Sequence, residues 1–438
     1  MALDAHPTRF RVAICGGGIS GLCLAVALSK FADIDVQVYE AAQRFKEIGA
    51  GVMIWSRTWR ILELMGLADD FSKIAHAPPD GSPGVGFDYR KSDQPEEGYR
   101  FHLVEFPYGC IRFHRAQFLD AFVNHLPEGI AHFGRRLLSY TSHEDGQSIE
   151  MTFADGSLEY CDVLIGCDGI KSMVRKQMLE RKDADGLPGL RRFVEPVWSG
   201  ITAYRGLISS SAFSKDSNGH LHSATQRPMM YCGHSKHVVA YSIAQGDLVN
   251  VITFHTELEK ERSPFKGEWV TQCSCKELLD CYDKWEPEVV DLLQNIENPT
   301  KWALHYIDPL PFYVDGCVAL VGDAAHGMLP HQGAGAGQAI EDAFLLAQVL
   351  GYEGVTKESL PEALRAYESV RLPIANEVLR GSRDSGMMYE FNSEFGQDFE
   401  QLGPAIQKQW DWIWESSPEE DVQKAIDRLA DGARSPLL

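Results

Sequence analysis

AICGGGISGLCLAVALSKFADIDVQVYE, residues 13–40, opens as an apolar strand, turns through glycines, continues as an apolar-periodic helix and returns as a second strand ending at Glu40. Gly16, Gly18 and Gly21 fit G-x-G-x-x-G, and the acid follows Gly21 by about twenty positions, where a ribose-binding carboxylate belongs. Gly16 permits a tight turn out of the strand, and Gly18 lets backbone approach a pyrophosphate with no Cβ in the way. Gly21 lets the helix pack closely on the strand. The helix N-terminus presents unpaired N–H groups and a positive dipole end to the phosphates. Strand, helix, strand and acid in register predict a dinucleotide-binding unit, without saying which dinucleotide.

Working outward, 438 residues predict two or three structural units. A net charge of −21 argues against nucleic acid and anionic membrane surfaces as partners, and an anionic substrate would need a local cationic pocket. No apolar run is long enough for a transmembrane helix. The opening MALDAHPTRF lacks the apolar core of a secretory signal, and the closing ARSPLL is not an S-K-L address. The ten cysteines form no C-x-x-C pair, and Cys273, Cys275 and Cys281 lack histidines at zinc spacing, so no metal is expected. A reduced, cytoplasmic protein, monomer or homodimer, is the simplest expectation.

Past Glu40, Gly49 and Gly51 punctuate a return towards the nucleotide, and TWRILELMGLADDF (58–71) reads as one helix. Residues 78–100 read as a turn-rich excursion, HRAQFLDAFVNHL from His114 as an amphipathic helix, and SIEMTFADGSLEY as a hairpin about Asp155-Gly156. DVLIGCDGIKSMVR (162–175) is a buried strand leading through Asp168-Gly169 to a helix start. ITAYRGLI, MMYCG, HVVAYSI and LVNVITFH between 196 and 289 read as strands of a second sheet. From Gly316, GCVALVGDAAHGMLPHQGAGAGQAIEDAFLLAQVL is strand, loop and long helix; the last sixty or so residues read as helices, with Trp410, Trp412 and Trp414 as packing.

Three motifs in this order carry a resemblance: G-x-G-x-x-G with Glu40, the Asp168-Gly169 segment, and Gly322-Asp323 followed by Pro330. Together they resemble the group A flavin-dependent aromatic hydroxylases, the family of p-hydroxybenzoate and salicylate hydroxylases. GDAAHGMLPHQGAGAGQAIEDA looks most like salicylate hydroxylases, and the whole chain also resembles fungal dearomatising phenol hydroxylases. The resemblance implies an α/β (α+β) fold. A Rossmann-like FAD-binding domain (1–80, 105–195, 290–375) would carry an inserted mixed β-sheet substrate domain (81–104, 196–289) and a C-terminal helical region (376–438).

It also implies roles. Gly16, Gly18 and Gly21 would hold the FAD pyrophosphate and Glu40 the adenosine ribose. Arg115 would contact FAD, Asp168 would act near both FAD and the nicotinamide, and Asp323 would bond the ribityl chain. The loop Gly333-Ala-Gly335-Ala336-Gly would bring a helix N-terminus to the flavin edge that turns negative on reduction; its bland alternative is a flexible glycine loop. No second Rossmann unit is found for NADH or NADPH, which in this family bind transiently. His326 reads as structural.

The implied reaction uses O2 to form a flavin C4a-hydroperoxide whose distal oxygen attacks an electron-rich phenol. Attack at a carboxylate-bearing carbon, as on salicylate, would release CO2 and give a catechol. Such a site needs a positive charge and a proton acceptor to favour phenolate. Arg205 could fix a phenolate or carboxylate, or be a solvated strand charge. Tyr241 resembles a pocket tyrosine of the dearomatising relatives, or is core. His331, with a pKa near neutrality, would take the phenol proton, or be a structural loop residue. The rival readings are a ring hydroxylase of a polyketide phenol, a simple NAD dehydrogenase, and, from another class, a non-catalytic FAD-binding protein.

Overall fold

A computed structural model describes residues 7–45, 51–76, 80–143, 148–213 and 221–434; Gly49 and most of the two terminal stretches read above lie outside them. Phe10–Cys15 pairs in parallel with Ile34–Glu40 on one side and Val163–Gly166 on the other, so the first strand sits inside a six-stranded sheet. Val318–Leu320 extends this sheet in parallel beyond Val163–Gly166. The first helix, Ile19–Leu28, is buried along its whole length rather than on one face. Helix Gly335–Gly351 packs against it and covers the side that the sheet does not.

The substrate-side sheet has eight strands. It is mixed, because Met229–Gly233 runs parallel to Pro83–Lys91 while its other pairings are antiparallel. It also takes in Thr300–Tyr306, past the expected boundary at 289, through antiparallel pairing with Val197–Ser209. The excursion after residue 78 supplies two of its strands, Pro83–Lys91 and Tyr99–Pro107.

Two helical expectations change. TWRILELMGLADDF forms two helices, Ser56–Leu64 and Ala68–Ile74, because Gly66 takes the left-handed conformation at φ +70 and turns the chain. Helix Leu360–Tyr389 runs unbroken through the expected boundary at 375. Its Pro373 removes one helical N–H, and the carbonyl this frees, that of Ser369, accepts from Arg428 at 3.3 Å. Asp155-Gly156 does turn an antiparallel hairpin, between Ile149–Phe153 and Leu158–Cys161. Trp410 is fully buried, its ring 4.8 Å from Trp55 and 5.2 Å from Phe106, locking the C-terminal helices to the eight-stranded sheet. Among the described residues no helix is long and apolar enough to cross a membrane.

Candidate active site

The glycines of the first turn divide by what their missing Cβ would meet. Gly16, at φ +109, would put a Cβ 2.2 Å from the Cys167 carbonyl oxygen, and Gly21 would put one 1.9 Å from the Gly16 carbonyl oxygen. These two are glycine because the chain packs on itself there. A Cβ on Gly18 would meet no protein atom within 4 Å, although Gly18 lines a cleft of about 420 Å³. Gly335, the first residue of its helix, lines the same cleft, and its nearest neighbour to a Cβ would be Met328 Cγ at 3.9 Å. Two backbone positions at helix N-termini thus face open space, an arrangement that fits a phosphate-bearing, flat cofactor such as FAD. Arg115 and Asp323 line the cleft wall as well, with Gly333 and Ala336.

The other predicted cofactor residues stand behind this wall. Glu40 ends its strand and accepts from the Gly17 and Ala42 N–H groups, each at 2.7 Å, which ties the glycine turn to the second strand. Asp168 does not line the cleft, whereas its neighbours Cys167 and Gly169 do. Its carboxylate accepts from the Ser172 hydroxyl and from the N–H groups of Met173 (2.7 Å) and Val174 (3.2 Å), capping helix Met173–Ala184. Burial raises its pKa, against those bonds. Arg175 of that helix donates to the carbonyls of Ile170, Val194 and Ala324, stitching the Asp168 loop to the Asp323 helix.

Behind Asp323 lies a buried ionic network. Gly322, held at φ +63, donates to Asp342 at 2.9 Å, and His326 Nε2 lies 2.6 Å from the same carboxylate. Arg371 reaches Asp342 at 2.7 Å and Glu341 at 3.0 Å, and Arg57 also reaches Glu341 at 3.0 Å. The network fixes Gly322-Asp323 to helix Gly335–Gly351, so His326 is structural here.

The far end of the cleft lies under the eight-stranded sheet. Arg205 and Tyr241 both line it, from Val197–Ser209 and Lys236–Ile243. The Arg205 guanidinium sits over the Trp302 ring, 5.0 Å from its centroid. Tyr241 is buried, and burial raises its pKa, against the nearby Arg205, Arg112 and Arg115. Gly51 makes room for it, since a Cβ there would come within 2.6 Å of the Tyr241 hydroxyl.

His331 closes the cleft on a loop pinned through Gln332, whose carbonyl accepts from Trp55 Nε1 at 3.2 Å and whose amide donates to Ser385 (3.1 Å) and the Gln409 carbonyl (2.8 Å). Its expected near-neutral pKa does not hold. Burial, with His237 beside it, pushes His331 down to about 3.

Sequence reasoning missed the groups behind His331. Its Nδ1 is 3.4 Å from His237 Nε2, and His237 Nδ1 is 2.9 Å from Glu390 Oε1, all three being buried. One signal for His237 was available: strand alternation puts His237, Val239 and Tyr241 on one face, and the latter two line the cleft. Glu390 follows a long helix and carries no local signal.

The sheet order, the glycine turn and the cleft are those of a dinucleotide-binding protein, and the chain belongs to the FAD binding domain family, whose sequence model matches residues 9–382. A salicylate hydroxylase of Pseudomonas putida is 39% identical over 433 residues, 98% of this chain and 96% of that protein. A 6-methylsalicylate 1-monooxygenase of Aspergillus terreus is 35% identical over 97% of this chain and 93% of its own length. A solved salicylate hydroxylase substrate complex superposes with a TM-score of 0.82 at 32% identity, covering 95% of this chain and 98% of that one.

Proposed function

We propose that this chain, an FAD-dependent aromatic monooxygenase, acts on a salicylate-type acid, placing oxygen on the carboxylate-bearing carbon. The observation that carries the reading is that Arg205, Tyr241 and His331, from three separate parts of the chain, line one cleft with Gly18 and Gly335. Full-length similarity to relatives whose names specify salicylate and 6-methylsalicylate supports it. FAD, reduced by NADH or NADPH, supplies the oxygen atom that O2 brings. The balance is salicylate, NAD(P)H, O2 and two protons to catechol, CO2, NAD(P)+ and water.

The protein's part is binding, orientation and charge. Gly16, Gly18 and Gly21 shape the pyrophosphate turn, Glu40 anchors that turn beside the adenosine ribose, and Arg115 and Asp323 flank the cofactor between its ends. Asp168 acts at one remove, by fixing the loop that carries Gly169. The N-terminus of helix Gly335–Gly351 favours negative charge at the flavin edge. Arg205 binds the substrate's carboxylate or phenolate and Tyr241 orients the ring, while His331, whose Nε2 is buried against Gly386, shapes the loop that closes the cleft. An overall charge of −21 makes Arg205 and Arg115 the local attraction that an anionic acid requires.

The test is oxidation of NADH and NADPH by the holoenzyme across a panel of phenols, with products analysed by mass. Salicylate-stimulated oxidation yielding catechol and CO2 is the expected result. Oxygenation of an acylated resorcinol, with salicylate inert, would replace this substrate class with a polyketide phenol. No stimulation by any phenol would overturn the hydroxylase reading.

A further inference from the structure

Behind the Tyr241 end of the cleft lies a cation that the fold does not balance. Arg112, on strand Ile111–His114, stands directly opposite Met53 of strand Gly51–Ile54. Opposed residues of an antiparallel pair share a face, so Arg112 lies on the side of this hairpin from which Met53 reaches the cleft. Only 5% of the residue is exposed. Its Nε and Nη1 are buried without a hydrogen-bond partner, and among the described residues no carboxylate pairs with it. Arg112 does not border the cleft itself, but Tyr241 does, and the two are close enough for each to bias the ionisation of the other. Asn250, directly across the sheet from Tyr241, is a second buried donor of the same kind. Its Oδ1 accepts from the Gly51 N–H at 3.0 Å, and its Nδ2 has no partner.

The titratable neighbours of Arg112 are neutral at pH 7. Burial pushes the Cys110 thiol up to about 12 and the Tyr241 hydroxyl higher still. His76, whose N–H donates to the Arg112 carbonyl at 2.8 Å, is pushed down to about 4 by burial and by the guanidinium beside it. Burial lowers the pKa of Arg112 too, but from a value so high that the side chain keeps its proton. A buried charge without a counter-ion is costly, and an apolar side chain of similar size in its place is often neutral or stabilising. Packing therefore gives no reason for arginine here. Donors without acceptors behind one wall of a cleft favour an anion on the other side of that wall.

We propose that Arg112 is a positioning residue that sets the preference of the cleft for an anionic aromatic acid over a neutral ring of the same shape, its field reaching the ligand past Tyr241. The inference deepens the reading of the cleft as the site of a salicylate-type acid, and rests on it. Arg205 lines the cleft and meets the acid group directly, whereas Arg112 acts from behind the wall. With the Tyr241 ring between them, roughly 8–12 Å, two unit charges at an effective dielectric of about 20 couple by enough to change affinity about 10- to 30-fold. A buried charge keeps this influence in salt, where the repulsion from the chain's overall −21 is screened. Because the effect comes from charge and not from contact, a neutral ligand should not feel it and lysine should preserve most of it.

The experiment compares salicylate with salicylamide, its uncharged counterpart at pH 7, by titrating each into the holoenzyme and following the flavin absorbance. Arg112→Met, which keeps length and apolar contact, should weaken salicylate about 10- to 30-fold and salicylamide less than about twofold. Arg112→Lys should recover most of the salicylate affinity. The urea midpoint of the Arg112→Met holoenzyme should equal or exceed that of the wild type, because an unpaired buried charge has been removed. Equal weakening of both ligands, or a lowered urea midpoint with the preference for salicylate intact, overturns the role of Arg112 and leaves the hydroxylase reading standing. So does an Arg112→Lys protein that binds salicylate no better than Arg112→Met. If Arg112→Met does not retain FAD, Arg112→Lys against Arg112→Gln decides, and equal salicylate affinity in those two overturns the inference. A wild-type enzyme that binds salicylate no better than salicylamide overturns both readings.

Discussion

Gly18→Ala and Gly21→Ala should have opposite effects, although the two glycines belong to one motif. At Gly18 the backbone, φ −78 and ψ −171, suits alanine, and no protein atom lies within 4 Å of the new methyl. Loss of a good N-cap costs at most about 1 kcal/mol, and restricting the unfolded chain returns about 0.4–1 kcal/mol. The apoprotein should therefore unfold within about 1 kcal/mol of wild type. The methyl projects instead into the space where the pyrophosphate lies, and forcing a methylene into a filled site costs about 1–3 kcal/mol. FAD affinity should then fall by about 5- to 150-fold, since about 1.4 kcal/mol is tenfold. Gly21→Ala gains up to about 1 kcal/mol in helix propensity. It also places a methyl 1.9 Å from the Gly16 carbonyl oxygen, and backbone on both sides must shift. Its apoprotein should lose about 1–3 kcal/mol. Urea unfolding of the apoproteins and flavin fluorescence titration read the two effects separately. A Gly18→Ala protein that binds FAD like wild type, or whose main loss is apo stability, refutes the assignment of that space to the cofactor.

Arg205→Gln should raise KM for salicylate about 10- to 100-fold, the worth of a charged hydrogen bond, and leave FAD affinity unchanged; steady-state kinetics and flavin titration check both. Arg371→Met removes the charge that bridges Asp342 and Glu341, leaving them to Arg57, His326 and the Gly322 N–H in the core, and should cost about 3–5 kcal/mol by urea unfolding. Glu390 titrates higher folded, at about 7, than its ordinary 4.5, so the stability it contributes is full below pH 4.5 and lost as pH rises through 7. Relative to Glu390→Gln, which does not titrate, the wild type should lose about 2–3 kcal/mol between pH 5 and pH 8, measured by unfolding at each pH.

The nucleotide half was legible because its determinants are local. Gly16, Gly18, Gly21 and Glu40 fall within one strand–helix–strand unit, and each residue type answers a backbone requirement that any chain must meet there. Arg205 and Tyr241 were legible only through resemblance, since alternation places them on a face without saying what that face meets. The pKa of His331 was out of reach, because its burial depends on helix Leu360–Tyr389 and on Phe254, whose ring lies 5.1 Å away. Asp168 shows what a motif leaves open: its carboxylate caps the Met173–Ala184 helix, while its neighbours Cys167 and Gly169 line the cleft. A motif records that a residue is required, and only its bonding partners say for what.

One element reconciles these separate features. Helix Leu360–Tyr389 carries Arg371, which holds the acidic pair behind Gly322-Asp323, and Ser382 and Ser385, which hold the loop of His331 and Gln332. It ends by delivering Glu390 to His237. From Arg371 to Glu390 is about 28 Å at 1.5 Å per residue, so one rod spans the cofactor wall and the buried His237–Glu390 pair. Gly386 on that rod leaves space for the ring, since a Cβ there would come within 2.7 Å of His331 Nε2. A displacement of the helix therefore moves the flavin-facing loop and the His237–Glu390 pair together. That gives a physical reason for a buried arginine far from the substrate to matter to the chemistry: it sets the register of the element from which both ends of the site are hung.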